Sequence, residues 1–163
     1  MYTFAENFIV MKQRIYIDTS VFGGYYDVEF EEFTKPLFDR INKGEIKIIY
    51  STLTEQELEP APEKVKQLVK SLSAENVEFI DISDEAVILA KKYIDEQVVG
   101  KTSSEDCLHI ALATIHKADF LASWNFKHIV NTTKIMGYNS VNMKMGYRTL
   151  EIRSPRDLMK YDD

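Results

Sequence analysis

The stretch Arg14-Ile15-Tyr16-Ile17-Asp18-Thr19-Ser20 decides the architecture: a short apolar run that ends on an acid and two hydroxyls. Isoleucine and tyrosine favour a pleated, half-buried surface, so Arg14–Ile17 reads as a first strand. Asp18 leaves it toward a loop that holds Gly23-Gly24. Two further acids stand at comparable places. Glu57 lies in Ser51-Thr52-Leu53-Thr54-Glu55-Gln56-Glu57-Leu58, in the opening turns of a helix after a second strand. Asp106 lies in Ser104-Glu105-Asp106-Cys107-Leu108-His109, in the first turn of another helix. In an open parallel sheet all three places face the crevice outside the carboxyl ends of the strands. Carboxylates gathered there repel one another unless a cation neutralises them, and hard oxygen donors suit Mg2+ or Mn2+. The residues therefore predict a metal-dependent reaction at phosphate.

Outward from that stretch, strands alternate with helices. Phe30, Phe33, Leu37, Phe38 and Ile41 are spaced for one helix face, Pro36 being tolerable near a first turn or a kink, and Asn42-Lys43-Gly44 stops the helix. Ile46–Tyr50 reads as a second strand. Ser51 or Thr52 can cap the helix that carries Glu57; Pro60 and Pro62 interrupt it, and a second piece runs to about Leu72. Val77–Ile82 reads as a third strand, and Ser83-Asp84 caps a helix through Val99. Ser104–His116 is apolar on most of its circumference, the pattern of a helix buried between other elements. Ala118–Ser123 is a fourth strand, Phe126–Gly137 a further helix, and Thr149–Arg153 a last strand before a tail helix at Ser154-Pro155. This order predicts an α/β fold, a three-layer α/β/α domain over residues 12–163 with a parallel sheet. Residues 1–11 lack periodicity and are expected to be an N-terminal extension with no catalytic part.

Composition bounds the partners. An apolar fraction of 45% with 28% charged residues is that of a globular chain able to bury a core. No apolar run approaches the roughly 18 residues of a membrane span, and Cys107 is the single cysteine, so no internal disulfide forms and a cytoplasmic setting is expected. The net charge of −6 weighs against nucleic acid, yet it is unevenly placed. Residues 1–100 carry 11 Lys and Arg against 19 Asp and Glu, whereas residues 101–163 carry 9 against 7. Lys127, Lys134, Lys144 and Arg148 fall in a segment, 120–150, that holds no acid. That segment can follow a phosphate backbone, or it can be a solvated, lysine-bearing surface.

Each candidate has a plainer reading. Asp18 can cap the element that follows it. Glu55 and Glu59 flank Glu57 and serve equally well as solvated acids near a helix start. Ser103-Ser104-Glu105-Asp106 matches a capping box, in which Asp106 reaches back to Ser103. His109 shares a helix face with Asp106, but Mg2+ prefers oxygen, so a core histidine, or one that supports a ligand, fits better than a direct ligand.

Taken in order, Tyr16-Ile17-Asp18-Thr19-Ser20-Val21, Ser51-x-Leu53-Thr54-x-x-Glu57-Leu58, Asp106-x-Leu108-His109-Ile110-Ala111-Leu112-Ala113 and Asp119-Phe120-Leu121-Ala122-Ser123-Trp124-Asn125 resemble the PIN domain family, over roughly Met11 to Pro155. The resemblance implies a parallel sheet of about five strands and Mg2+- or Mn2+-dependent nuclease activity, and many such proteins are the VapC-type toxins of toxin–antitoxin pairs. It places Asp18, Glu57 and Asp106 at the three acids of the family, which would hold the metal. Asn125 stands where a fourth acid is usual, and Ser123 where threonine is usual. An amide oxygen can hold water but brings no charge, so one tight cation is expected and a second that binds weakly or arrives with substrate.

The expected protein is thus a metal-dependent endoribonuclease, with Asp18, Glu57, Asp106 and Asn125 at its centre and Thr19, Ser20, Ser123 and His109 supporting them. Lys127 and Lys134 are expected on the RNA backbone; a homodimer, a cognate antitoxin and no membrane association complete the expectation. A catalytically weak or inactive PIN-fold module that binds RNA or protein is the alternative, suggested by Asn125. A dehalogenase-type phosphatase would want a second Asp where Ser20 stands.

Overall fold

The computed structural model describes residues 12–160, so the expected extension at 1–11 lies outside the described residues. The elements run β1 (Gln13–Ile17), α1 (Thr19–Gly24), α2 (Glu31–Asn42), β2 (Ile46–Ser51), α3 (Thr52–Leu58), α4 (Glu63–Lys70), β3 (Val77–Ile80), α5 (Asp84–Asp95), α6 (Ser104–Ile115), β4 (Phe120–Ala122), α7 (Thr132–Lys144), β5 (Glu151–Arg153) and α8 (Pro155–Lys160). The strands form one sheet in the order β3-β2-β1-β4-β5, and every pairing is parallel. This is the expected α/β architecture with its five-stranded parallel sheet.

Strand pleat explains the two faces. Ile15, Ile17, Ile46 and Ile48 pack on one side with Phe22, Leu37, Phe38, Leu58, Val65 and Leu68 of α1 to α4. Tyr16, Ile49, Leu121 and Ile152 point the other way, against residues of α5, α6 and α7, as alternation along a strand requires. Helix α6 buries Cys107 and the whole run His109–Thr114, which accounts for its lack of a polar face.

The strand order reverses at β1. From there the chain builds outward through β2 and β3, then returns to the other side of β1 for β4 and β5. The carboxyl ends of β1 and β4 therefore flank the topological switch point, where open α/β sheets hold their ligands. Register brings Ile17 opposite Ala122, and the Asp18 amide donates to the Ala122 carbonyl at 3.3 Å. Asp18 and Ser123 thus emerge side by side.

Trp124 fastens this joint. Its indole stacks on Phe30 at 4.5 Å, donates from Nε1 to Thr34 Oγ1 at 2.9 Å, and lies against Gly24. A Cβ on Gly24 would come within 2.8 Å of two indole atoms, so only glycine lets α1 approach so closely.

Several elements differ from expectation; β3, β4 and β5 are each shorter, at Val77–Ile80, Phe120–Ala122 and Glu151–Arg153. The helix expected over Phe126–Gly137 begins at Thr132 and runs through Gly137 to Lys144. Asn125 Oδ1 accepts from the backbone amides of Lys127 and His128, forming a side-chain-closed turn, and Asn131 then caps the true helix on Lys134. Gly137 is a packing residue rather than a stop, because a Cβ there would meet Val98 at 2.7 Å. Helix α5 ends at Asp95, short of Val99, since Gln97 takes a left-handed φ of 63°. Pro36 sits inside α2 rather than in its first turn.

Candidate active site

Asp18 is buried at the end of β1, and both of its oxygens accept hydroxyls. Ser20 Oγ donates to Oδ1 and Ser123 Oγ to Oδ2, each at 2.6 Å. Those serines are themselves anchored: Ser20 Oγ accepts from the Trp124 amide at 3.0 Å, and Ser123 Oγ from the Asn125 amide at 2.9 Å. Burial pushes the Asp18 carboxyl up; His109 and the two serine hydroxyls oppose the rise, and Glu57 adds to it. No side-chain cap bond ties Asp18 to α1.

Glu57, half-buried on α3, faces the same crevice, while Glu55 and Glu59 point to solvent. Its Oε1 accepts from Thr19 Oγ1 at 2.7 Å and lies 2.5 Å from His109 Nε2. Burial alone would raise Glu57, but its contacts with His109 and the Thr19 hydroxyl hold it below the ordinary carboxylate range. The His109 ring leads inward: Nδ1 meets Tyr16 Oη at 2.7 Å, and Tyr16 Oη meets Ser51 Oγ at 2.9 Å.

Asp106 occupies the first turn of α6, yet Ser103 makes no side-chain cap bond, so the capping-box reading does not describe this helix start. Burial raises the Asp106 carboxyl, His128 and His109 lower it, and Asp18 and Glu57 raise it further. Three carboxylates from β1, α3 and α6 thus share one electrostatic environment. No lysine or arginine forms an ion pair with any of them among the described residues. In the arrangement seen, no three His, Cys, Asp or Glu side chains among the described residues close around an ion-sized space.

The other candidates divide. Asn125 is two hydrogen bonds from Asp18, through Ser123, but its Oδ1 is occupied by the turn it closes. Lys127 is exposed beside it. Lys134 is committed elsewhere, donating from Nζ to the Val98 carbonyl at 3.1 Å. Glu105 was not singled out from the sequence; it lies against Glu57, whose charge and shared hydrogen bond push it up. Its position next to Asp106 in the motif was the available signal.

These shifts have a signed consequence for stability. A carboxyl raised in the folded state binds its proton before the unfolded chain does, so it adds stability as pH falls toward the ordinary carboxylate range. Asp18 and Asp106 act in that direction. Glu57 acts in the opposite sense, losing its contribution only as pH falls through its lowered value. In metal-free buffer, Asp18→Asn should therefore melt above wild type at pH 7. The gap should close as pH is lowered toward about 4, at about 2–4 °C of midpoint per kcal/mol in a chain of this size. A gap that widens on acidification would contradict the raised Asp18.

The sequence model for the PIN domain matches residues 15–126. No curated protein matches the sequence significantly. Among solved structures, FitAB bound to an IR36 DNA fragment is similar with a TM-score of 0.57 and 14% identity, covering 86% of this chain and 94% of that one. VapBC2 from Rickettsia felis, bound to a DNA fragment from their promoter, is similar with a TM-score of 0.54 and 14% identity, covering 87% and 98%. FitAcB from Neisseria gonorrhoeae gives 0.54 and 14%, covering 86% and 97%. At such identity the likeness is one of fold.

Proposed function

The chain belongs to the PIN domain family, and from that premise we propose that it is a divalent-cation-dependent endoribonuclease. PIN domains generally bind a divalent metal and are typically metal-dependent nucleases. The donor set here fits such an ion: all-oxygen, anionic and without a lysine or arginine counter-charge among the described residues. The carrying observation is this trio at the sheet's switch point, with no lysine or arginine paired to it among the described residues.

Asp18, Glu57 and Asp106 would hold Mg2+ or Mn2+. The bound cation supplies charge that polarises phosphate and acidifies water for in-line attack. The protein contributes orientation. Ser20 and Ser123 fix the Asp18 carboxylate from both sides, and Thr19 fixes Glu57 Oε1. Each carboxylate oxygen has a second lone pair, so these bonds and ligation are compatible. Asp106 stands at the start of α6, whose dipole opposes the rise that burial gives its carboxyl. Exposed Lys127 would attract the RNA backbone, whereas the hold of Val98 on Lys134 makes it the weaker candidate. As VapBC2 and FitAB were solved as two-component complexes on DNA, a small DNA-binding antitoxin is the proposed partner, with homodimer formation alongside.

The test pairs Mn2+ calorimetry with incubation of single-stranded RNA. Mn2+ should bind, and internal cleavage should need Mg2+ or Mn2+, stop in excess EDTA and resume on resupply. Absence of Mn2+ binding and of cleavage favours the second reading, a PIN-fold binding module, for which Asn125 in place of an acid is the supporting observation.

A further inference from the structure

Tyr16 lies in a central strand between Ile15 and Ile17, wholly buried against the α5 to α7 layer. A phenol placed there needs hydrogen-bond partners. Ser51 Oγ lies at 2.9 Å and His109 Nδ1 at 2.7 Å, with the buried Thr54 hydroxyl also close to the phenol, and Ser51 is wholly buried. At its far side the imidazole presents Nε2 to Glu57 Oε1 at 2.5 Å.

The direction of this chain follows from what each group can do. A tyrosine phenol keeps its hydrogen at neutral pH, and Glu57, as the carboxylate a cation requires, can only accept. A neutral imidazole then carries its hydrogen on Nε2, which leaves Nδ1 to accept from Tyr16 while the phenol oxygen accepts from Ser51; an imidazolium would instead donate from both nitrogens. The order Ser51 to Tyr16 to His109 to Glu57 satisfies every one of these atoms. The reverse order would set a bare Nε2 lone pair against a carboxylate.

Resting on the assignment of Glu57 as a cation ligand, we propose that Tyr16 is a positioning residue that acts through His109. It holds the imidazole in the Nε2–H tautomer, so that His109 and Thr19 together pin Glu57 Oε1 and fix the carboxylate that would hold the cation. Partners that orient a ligand in this way are commonly worth tenfold to a hundredfold in metal affinity. A tyrosine that merely filled the core would be replaced by phenylalanine with no effect on that affinity.

The experiment uses the full chain, 15N-labelled at histidine, read by two-bond 15N–1H correlation in EDTA and then titrated with Mn2+ by calorimetry. Of the three histidines, His109 is identified by the signal missing from His109→Gln. Wild type should show His109 protonated on Nε2 alone. Tyr16→Phe should lose that exclusive tautomer and bind Mn2+ about tenfold to a hundredfold more weakly. His109→Gln, which keeps a donor for Glu57, should recover most of the affinity that His109→Leu loses. A wild-type imidazole protonated on Nδ1, or Tyr16→Phe with unchanged tautomer and Mn2+ affinity, overturns the proposal. If Tyr16→Phe does not fold, the Gln and Leu variants decide: equal affinity overturns it, and the expected ranking supports it. Wild type that takes up no Mn2+ while His109 still shows the Nε2–H pattern overturns the parent assignment of Glu57, and the positioning role with it.

Discussion

Asp18→Asn is expected to lower cation-dependent RNA cleavage by about three orders of magnitude, the several kcal/mol that a cation contributes at phosphate. The folded state should survive the change. Ser20 and Ser123 each have a second anchor in the Trp124 and Asn125 amides. The Asn oxygen accepts from one hydroxyl, while the other serine accepts from Nδ2 and turns its own hydrogen toward the neighbouring serine oxygen, 3.5 Å away. It also removes a buried charge that Glu57 repels. Circular dichroism should then show native secondary structure and a neutral-pH midpoint at or above wild type. Cleavage within tenfold of wild type would reject the assignment of Asp18. Collapse of the fold would instead mark the residue as structural.

Asn125→Asp should act in the opposite sense. The new carboxylate keeps an oxygen for the Lys127 and His128 amides, and it accepts those bonds more strongly as an anion. It also returns a charge two residues from Ser123, where the family usually places an acid. A second cation should therefore bind about tenfold to a hundredfold more tightly, by analogy with other changes around metal ligands, and cleavage at low Mg2+ should rise with it. Calorimetry resolves the second site directly. If both affinity and rate stay at wild-type values, position 125 does not face the ion and serves only its turn.

The fold was largely legible because its signals are local. Short Ile-rich runs, such as Ile46–Tyr50, alternated with amphipathic segments, and the bounds of β1, β2, α3 and α6 came within a residue or so of those expected. The three acids could be nominated because each stands at an element end, which sequence position reveals. What escaped depends on long-range contact or on side chains that copy backbone bonds. Nothing local signals that Tyr16 meets His109, 93 positions away, or that Glu105 leans on Glu57. The start of α7 is not legible in the sequence because Asn125 and Asn131 are both turn-closing acceptors, and which of them caps the helix depends on the fold around them. The helix expected to end at Gly137 runs on to Lys144, because the small size of Gly137 serves Val98, a neighbour invisible in the local pattern.

Trp124 is the chain's single tryptophan, and its indole is wedged between Phe30, Thr34 and Gly24 while its own amide reaches Ser20. Native ultraviolet emission selectively excited at indole therefore originates from one address, a bond away from the serine that grips Asp18. The molecule carries a built-in, label-free reporter of the joint between its first and fourth strands. Any event that loosens that joint changes the colour or brightness of the protein's own light.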